Sequence, residues 1–328
     1  MSVNCRTVPV IDVSALVAPQ SDAYGQLCEQ LEQVYSTVGF SYIRNHGIPR
    51  GLVMGIFDAN RAFHAMPREK KMKIELDSNH RGYIPLCSAT DVSSEIEEAS
   101  QANYSESFIM MREAGPEDPD VLAGAFLAGA NQWPAALPGF REQVTEYHEA
   151  LARLARHLLK AMIRSIDTDF SELESYFDRP TTFLRLSCYP ELPPDAPENL
   201  YGSAPHVDFE CLTLLAQDDV AGLQVRGPGG NWLDAPPIRN TFVMNVGTML
   251  NRWSNGHLRS TPHRVMSRPN RARYSVPFFY GPHVDTQVTP LASCVSKENP
   301  TRFESIVYGE FVRQQLVATY THHQGDHD

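Results

Sequence analysis

Two histidines and an aspartate are the residues of this 328-residue chain whose types and spacing most readily suggest chemistry. The stretch "PHVDFECLTLLAQ" (205–217) sets His206 and Asp208 two residues apart at the head of an apolar run. Read as one strand, it projects both side chains to the same face, with Cα atoms about 7 Å apart. An imidazole and a carboxylate aimed into an apolar interior need a metal, a hydrogen-bond partner or water to satisfy them. His263 opens the β-branched "PHRV" 57 residues after His206. Two imidazoles and one carboxylate cover one face of an octahedron and leave three positions open, the facial triad of non-heme Fe(II) sites. Catalytic zinc takes the same residue types, but no helical HExxH supplies the general base of a zinc hydrolase. Taken alone, His206 with Asp208 reads equally well as a hydrogen-bonded core pair.

Ten residues beyond His263 stands "RYSVPFFY", where Arg273 and Ser275 share a strand face with Pro277 and Phe279. A guanidinium grips a carboxylate through a two-bond fork. With the Ser275 hydroxyl beside it, the pair is a docking point for a dicarboxylate whose other end reaches a metal. An arginine aimed into an apolar barrel without such a partner costs several kcal/mol. A structural ion pair is the plainer reading of Arg273.

The elements that must position these groups follow from periodicity. "VPVIDVSAL" reads as a short strand and turn, Tyr24 to Val38 as an amphipathic helix, and "GFSYIRNHGIP" as a strand stopped by Pro49. A second helical pattern covers Leu52 to Met66. The turn-rich region 78–138 holds "ESFIMM" as a strand and a loop at "PEDPD". Val144, Tyr147, Leu151, Leu154, Leu158, Met162 and Ile166 mark one face of a helix of about seven turns. From Thr182 onward short strands alternate with Pro and Gly: "TFLRLSCY", "APHVDFECLTLLAQ", "AGLQVRG", "NTFVMNV", "TPHRVMS" and "RYSVPFFY". Helices first and strands afterwards predict an α+β fold, helices packed around an all-β sandwich or barrel.

Composition narrows the function classes. A formal net charge of −11, without a clustered basic block, argues against a nucleic-acid surface. No apolar run reaches membrane-spanning length, and the first twenty residues lack a secretory pattern. The six cysteines are scattered without a CxxC pair, which predicts reduced thiols and a cytoplasmic location. His46 and His257 sit at turns and read as structural. His322, His323 and His327 belong to a polar tail.

With these motifs in place, the chain resembles the isopenicillin N synthase-like family of 2-oxoglutarate- and iron-dependent oxygenases over nearly its whole length. "GFSYIRNHGIP", "ESFIM", "NQWP", "LPGFRE", "LRLSCYP", "HVDFECLTLLAQD", "NVGTMLNRWSNGHLRSTPHRV" and "RYSVPFFYGP" carry the resemblance. It implies a double-stranded β-helix (jelly-roll, cupin-like) core flanked by N- and C-terminal helices. It also implies one oxygenase domain over 1–328, with a family N-terminal region at 1–110, a supporting helix at 139–166 and the metal-binding core at 180–285. Carried over, His206, Asp208 and His263 hold Fe(II), Arg273 and Ser275 bind the distal carboxylate of 2-oxoglutarate, and Tyr189 assists. O2 is the other co-substrate, and a small molecule is hydroxylated, desaturated or cyclised with release of succinate and CO2. Phe279 and Tyr83 are expected to line the substrate pocket, whose walls come from 78–111 and the C-terminal helix. Ser187 stands where the family often has Asn, and Gly247-Thr248 where it often has Gly-Asp. Oxidases of the family keep the same RxS to hold a substrate carboxylate, so 2-oxoglutarate-independent oxidation is the alternative. A barrel retained for binding alone would leave an unused charged cluster in its interior.

Overall fold

The computed structural model describes residues 7–90, 101–197, 200–267 and 270–320. The N-terminal part supplies β1 (Val10–Asp12), α1 (Asp22–Tyr35), β2 (Phe40–Arg44), α2 (Arg50–His64), the one-turn α3 (Arg68–Lys71), β3 (Gly82–Ile84), β4 (Glu106–Met111) and the short α4 (Pro119–Leu122). The long helix α5 (Phe140–Arg164) follows. The strand-rich half comprises β5 (Thr181–Tyr189), β6 (Tyr201–His206), β7 (Leu212–Gln217), β8 (Leu223–Arg226), β9 (Trp232–Asp234), β10 (Thr241–Val246), β11 (His263–Met266) and β12 (Arg273–Gly281). Helix α6 (Thr248–Trp253) interrupts it, and β13 (Gln287–Val288), β14 (Ile306–Val307) and α7 (Tyr308–Thr319) complete the described chain.

Two sheets face each other. The larger runs β1-β2-β10-β7-β12-β5-β4-β3 and the smaller β6-β11-β8-β9, giving the jelly-roll core with α+β flanks. Alternation along each strand decides what lies between them. On β12, Val276, Phe278 and Tyr280 join the main apolar core with Leu151, Leu154 and Leu158 of α5. The intervening Arg273, Ser275, Pro277 and Phe279 face the space between the sheets instead. Phe40, Tyr42, Val243, Leu223, Val225 and Val265 form a smaller apolar cluster between the two sheets, which seals one part of that space. The periodic stripe predicts α5 well. It ends at Arg164, two residues short of Ile166.

One expectation is corrected. "APHVDFECLTLLAQ" is not a single strand: β6 ends at His206 in the smaller sheet and β7 begins at Leu212 in the larger. Asp208 therefore sits in the corner where the chain changes sheets. Its neighbour on the spatial side is Gly247, where a Cβ would come within 2.2 Å of the Glu210 carbonyl, so only glycine lets the two segments pass.

The scattered cysteines behave as expected: Cys28, Cys87, Cys188, Cys211 and Cys294 are free thiols. Cys5 and the tail histidines His322, His323 and His327 lie outside the described residues. His46 packs edge-on against Phe242 at 4.5 Å, and His257 meets Glu32 at 2.7 Å, both structural contacts. No described helix is long and apolar enough to cross a membrane.

Two other histidines are buried outright, and they set an acid limit. Burial pushes His64 and His148 down to about 4 from the usual 6.5. The unfolded chain takes up these protons below about pH 6.5, whereas the folded chain refuses them until about pH 4. Folding stability is thus expected to fall as pH drops through that window, by roughly 3 kcal/mol per histidine. Urea denaturation at several pH values checks this; stability unchanged between pH 7 and 4.5 contradicts it.

Candidate active site

Strand pairing brings the two histidines together. In the smaller sheet β11 runs antiparallel to β6 with His263 opposite His206, and their ring centroids are 4.3 Å apart. Asp208, two residues past the end of β6, closes the triangle. Its Oδ1 is 3.7 Å from His206 Nε2 and 3.6 Å from His263 Nε2. Among the described residues this is the one group of three whose ligand atoms all lie within 4.8 Å of one another.

The surrounding groups orient these atoms. His206 Nδ1 meets the Ala204 carbonyl at 2.7 Å, and His263 Nδ1 meets the Thr261 carbonyl at 3.3 Å. With Nδ1–H donating to a carbonyl, the lone pair is on Nε2, directed at the shared centre. Asp208 Oδ2 accepts from Thr213 Oγ1 and, at 2.6 Å, from Asn245 Nδ2. Thr248 holds the Asp208 carbonyl through both its amide (2.8 Å) and its hydroxyl (2.9 Å). One oxygen is thus restrained by two donors and the other is presented to the histidines. Burial alone would push the Asp208 carboxyl up, but His263 and His206, with Thr213 and Asn245, outweigh it and hold the group below the usual carboxylate range. Next door, burial and the Asp208 charge push Glu210 up to about 8.

Such outer partners fix ligand geometry, and losing one typically costs about 10- to 100-fold in metal affinity. Thr213→Val is expected to weaken Fe(II) binding by that order while leaving the fold intact, measurable by anaerobic titration. Wild-type affinity in this variant would contradict the role given to Thr213.

The same cavity extends to the second predicted group. Its lining includes His206, Asp208 and His263 at one part and Arg273, Ser275, Tyr189 and Ser187 at another. Arg273 is 1% exposed. Its Nη2 donates to Gln217 Oε1 at 3.0 Å, and the guanidinium lies 4.9 Å from the centre of the Tyr189 ring. Gly222 gives it room: a Cβ there would come within 3.1 Å of Arg273 Cδ. Yet Arg273 Nε and Nη1 are buried with no hydrogen-bond partner. A buried guanidinium with two idle donors costs free energy until an anion meets it. Antiparallel pairing sets Ser275 opposite Ser187 and Arg273 opposite Tyr189, and Ser275 Oγ is 3.5 Å from the Tyr189 hydroxyl. These orphaned donors and the three-ligand cluster fit a metal chelated by one end of a dicarboxylate held at its other end.

Of the residues expected at the substrate pocket, Phe279 lines both this cavity and a second one that shares His206 and Asp208 with it. Tyr83 does not line either. It is 2% exposed, pairs with Phe108 and packs near Phe63 on the helix-covered face of the larger sheet. Its hydroxyl donates to Glu106, which Lys71 also contacts at 2.7 Å. The expected walls are otherwise present: His80 and Ile109 come from region 78–111, and Leu316, Thr319 and Tyr320 from the C-terminal helix and the residue after it. Thr213, Asn245, Thr248, Gln217 and Arg185 are site residues that sequence reading did not single out. Strand parity was the signal available for four of them.

Comparison with known proteins agrees with this geometry. Residues 180–282 match the model of the 2OG-Fe(II) oxygenase superfamily, and residues 8–136 match that of the non-haem dioxygenase in morphine synthesis N-terminal region. A 2-oxoglutarate-Fe(II) type oxidoreductase of Emericella nidulans is 34% identical, covering 95% of this chain and 90% of the relative. A homoarginine-6-hydroxylase of Glycine max is 31% identical over 98% of this chain and 99% of its own. Full-length T7H of Neurospora crassa, solved in complex with alpha-KG (2-oxoglutarate) and thymine, superimposes with a TM-score of 0.84 at 26% identity, covering 97% of this chain and 98% of the other.

Proposed function

Because the chain belongs to the 2-oxoglutarate- and Fe(II)-dependent oxygenase superfamily, we propose that His206, Asp208 and His263 hold its iron, and Arg273 with Ser275 its co-substrate. The protein is a 2-oxoglutarate/Fe(II)-dependent dioxygenase that uses O2. The observation that carries the residue assignment is the cavity shared by the three-ligand cluster and the orphaned Arg273 donors. Bound iron, with O2 and 2-oxoglutarate, supplies an oxidant able to attack an unactivated C–H bond, the co-substrate leaving as succinate and CO2.

The chain's own residues do the rest. Arg273 and Ser275 fix the far carboxylate of 2-oxoglutarate and so set which end reaches the metal. Tyr189 and Gln217 hold the guanidinium in place. Asp208, restrained through Oδ2, stays ionised and presents Oδ1. The apolar walls of Leu223, Val265 and Phe279 keep bulk water out. The primary substrate is a small molecule, the outcome being hydroxylation, desaturation or ring closure. We read residues 1–328 as one oxygenase domain. A cytoplasmic location is supported by the free thiols. The oxidase route, in which Arg273 holds a substrate carboxylate, is not favoured: relatives carry 2-oxoglutarate in their names, and T7H was solved with it.

Release of labelled CO2 from 1-labelled 2-oxoglutarate by the Fe(II)-loaded protein tests the function. Substrate-stimulated release is expected. Substrate turnover with no labelled CO2 would favour the oxidase route.

A further inference from the structure

We propose that a hollow on the outer face of the smaller sheet is a second binding site, in which Arg226 and Arg259 grip the phosphate group of a small phosphate ester. The hollow, about 190 Å3, lies between the residues that follow α1, the turn joining β8 to β9, and residues 259–262. It shares no lining residue with the two cavities beside the iron ligands. The site is thus separate from the one that carries the function proposed above.

Charge marks the place. Leu223 and Val225 pack inward from β8, so alternation turns Arg226 to the outer face. Arg259 lines the same hollow from the segment that leads into β11. Among the described residues neither guanidinium has a hydrogen-bond or ion-pair partner. Arg44 and Arg271, also at the surface, reach Asp12 at 3.3 Å and Asp219 at 2.8 Å. No Asp or Glu lines the hollow, although the chain carries a formal net charge of −11. Two like charges in one hollow repel each other until an anion lies between them, and guanidinium forks match the oxygens of a phosphate. Ser260, also in the lining, holds a buried Oγ without a partner, a donor that a phosphate oxygen satisfies once the hydroxyl turns about χ1.

The backbone around the hollow is fixed in advance. The Arg259 amide donates to the Tyr35 carbonyl at 2.8 Å, and Thr261 Oγ1 donates to the Val38 carbonyl at 2.8 Å. Gly39, at φ 75°, lets these segments meet: a Cβ there would come within 2.5 Å of the Arg259 carbonyl oxygen. The turn after Arg226 is closed by the Gly227 amide on the Asn231 carbonyl and the Gly230 amide on the Gly227 carbonyl, both at 2.8 Å. A ligand therefore has only side chains to order, which lowers the cost of binding. Val38, Pro228 and Pro262 add an apolar stretch beside the charged groups. That stretch suits the carbon part of a phosphate ester better than a bare ion.

The test uses the anaerobic full-length protein with Fe(II) and stoichiometric 2-oxoglutarate in a low-salt buffer, titrated calorimetrically. The probes are ribose 5-phosphate, ribose, sulfate and chloride. Ribose 5-phosphate is expected to bind at least tenfold more tightly than ribose, and sulfate more tightly than chloride. Arg226→Gln and Arg259→Gln should each weaken ribose 5-phosphate tenfold or more, and the double variant should not bind it. The visible absorption of the iron and 2-oxoglutarate complex should be unchanged in all three variants, which shows that they fold. Sulfate binding less tightly than ribose 5-phosphate assigns the site to an ester, and equal binding overturns that assignment in favour of a free oxyanion. No binding of either probe, ribose binding as well as its phosphate, chloride binding as tightly as sulfate, or full affinity in the double variant would each overturn the site itself.

Discussion

Asp208→Ala protein is expected to bind Fe(II) more than about 100-fold more weakly than wild type and to release no CO2 from 2-oxoglutarate above background. The lower bound follows from scale: loss of an outer partner alone typically costs about 10- to 100-fold, and Asp208 is the one anionic ligand of the cluster. Its removal leaves two imidazoles 4.3 Å apart with no carboxylate to balance a dication. The Thr213 and Asn245 donors also lose their acceptor, at a cost of about 1–3 kcal/mol each. The variant should therefore fold with somewhat reduced stability, and circular dichroism separates lost binding from lost structure. A folded variant with wild-type iron affinity would remove the basis for the metal assignment.

The second large effect belongs to Arg273→Met, and it has two opposite parts. A two-bond fork of charge-assisted hydrogen bonds, at about 1.5–3 kcal/mol each, makes the arginine worth about 3–6 kcal/mol to 2-oxoglutarate. The apparent KM for 2-oxoglutarate should then rise on the order of 10²- to 10⁴-fold. The metal-free, co-substrate-free protein should lose no stability, because Nε and Nη1 are buried without partners and methionine fills a similar volume with no charge to desolvate. Saturation kinetics and thermal melts with and without 2-oxoglutarate read both parts. Unchanged KM, or a clear loss of stability in the free protein, would indicate that Arg273 is a structural ion-pairing residue.

What the sequence revealed, and what it concealed, follows from strand parity and strand ends. Arg273, Ser275, Pro277 and Phe279 were placed on one face by alternation alone, and the register with β5 and β7 bears that out. His206 and His263 were recognisable as a pair, although their direct pairing across β6 and β11 was not. The corner at 207–211 was hidden because "VDFEC" carries no Gly or Pro and keeps the apolar alternation of its neighbours. Tyr83 was misplaced for a related reason. A three-residue edge strand has too short a pattern to say which side faces the helices, and its partner Phe108 faces the helix-covered core. Thr213, Gln217 and Asn245 are ordinary polar residues on apolar strands, yet their parity was a usable signal. Asn245 is the polar interruption of "TFVMNV", and it faces the site. Arg185 shares the parity of Ser187 and Tyr189 on β5. Thr248 lies at the start of a helix, where no alternation exists, and its hold on the Asp208 carbonyl is a purely tertiary fact.

Anaerobic titration of the metal-free protein with Fe(II), followed by 2-oxoglutarate, tests the central claim most directly. One iron per chain and a visible absorption appearing on addition of 2-oxoglutarate are predicted, the iron step lost in Asp208→Ala and the 2-oxoglutarate step lost in Arg273→Met. Iron taken up equally by the wild type and Asp208→Ala, or no absorption with either co-substrate concentration or time, would contradict it.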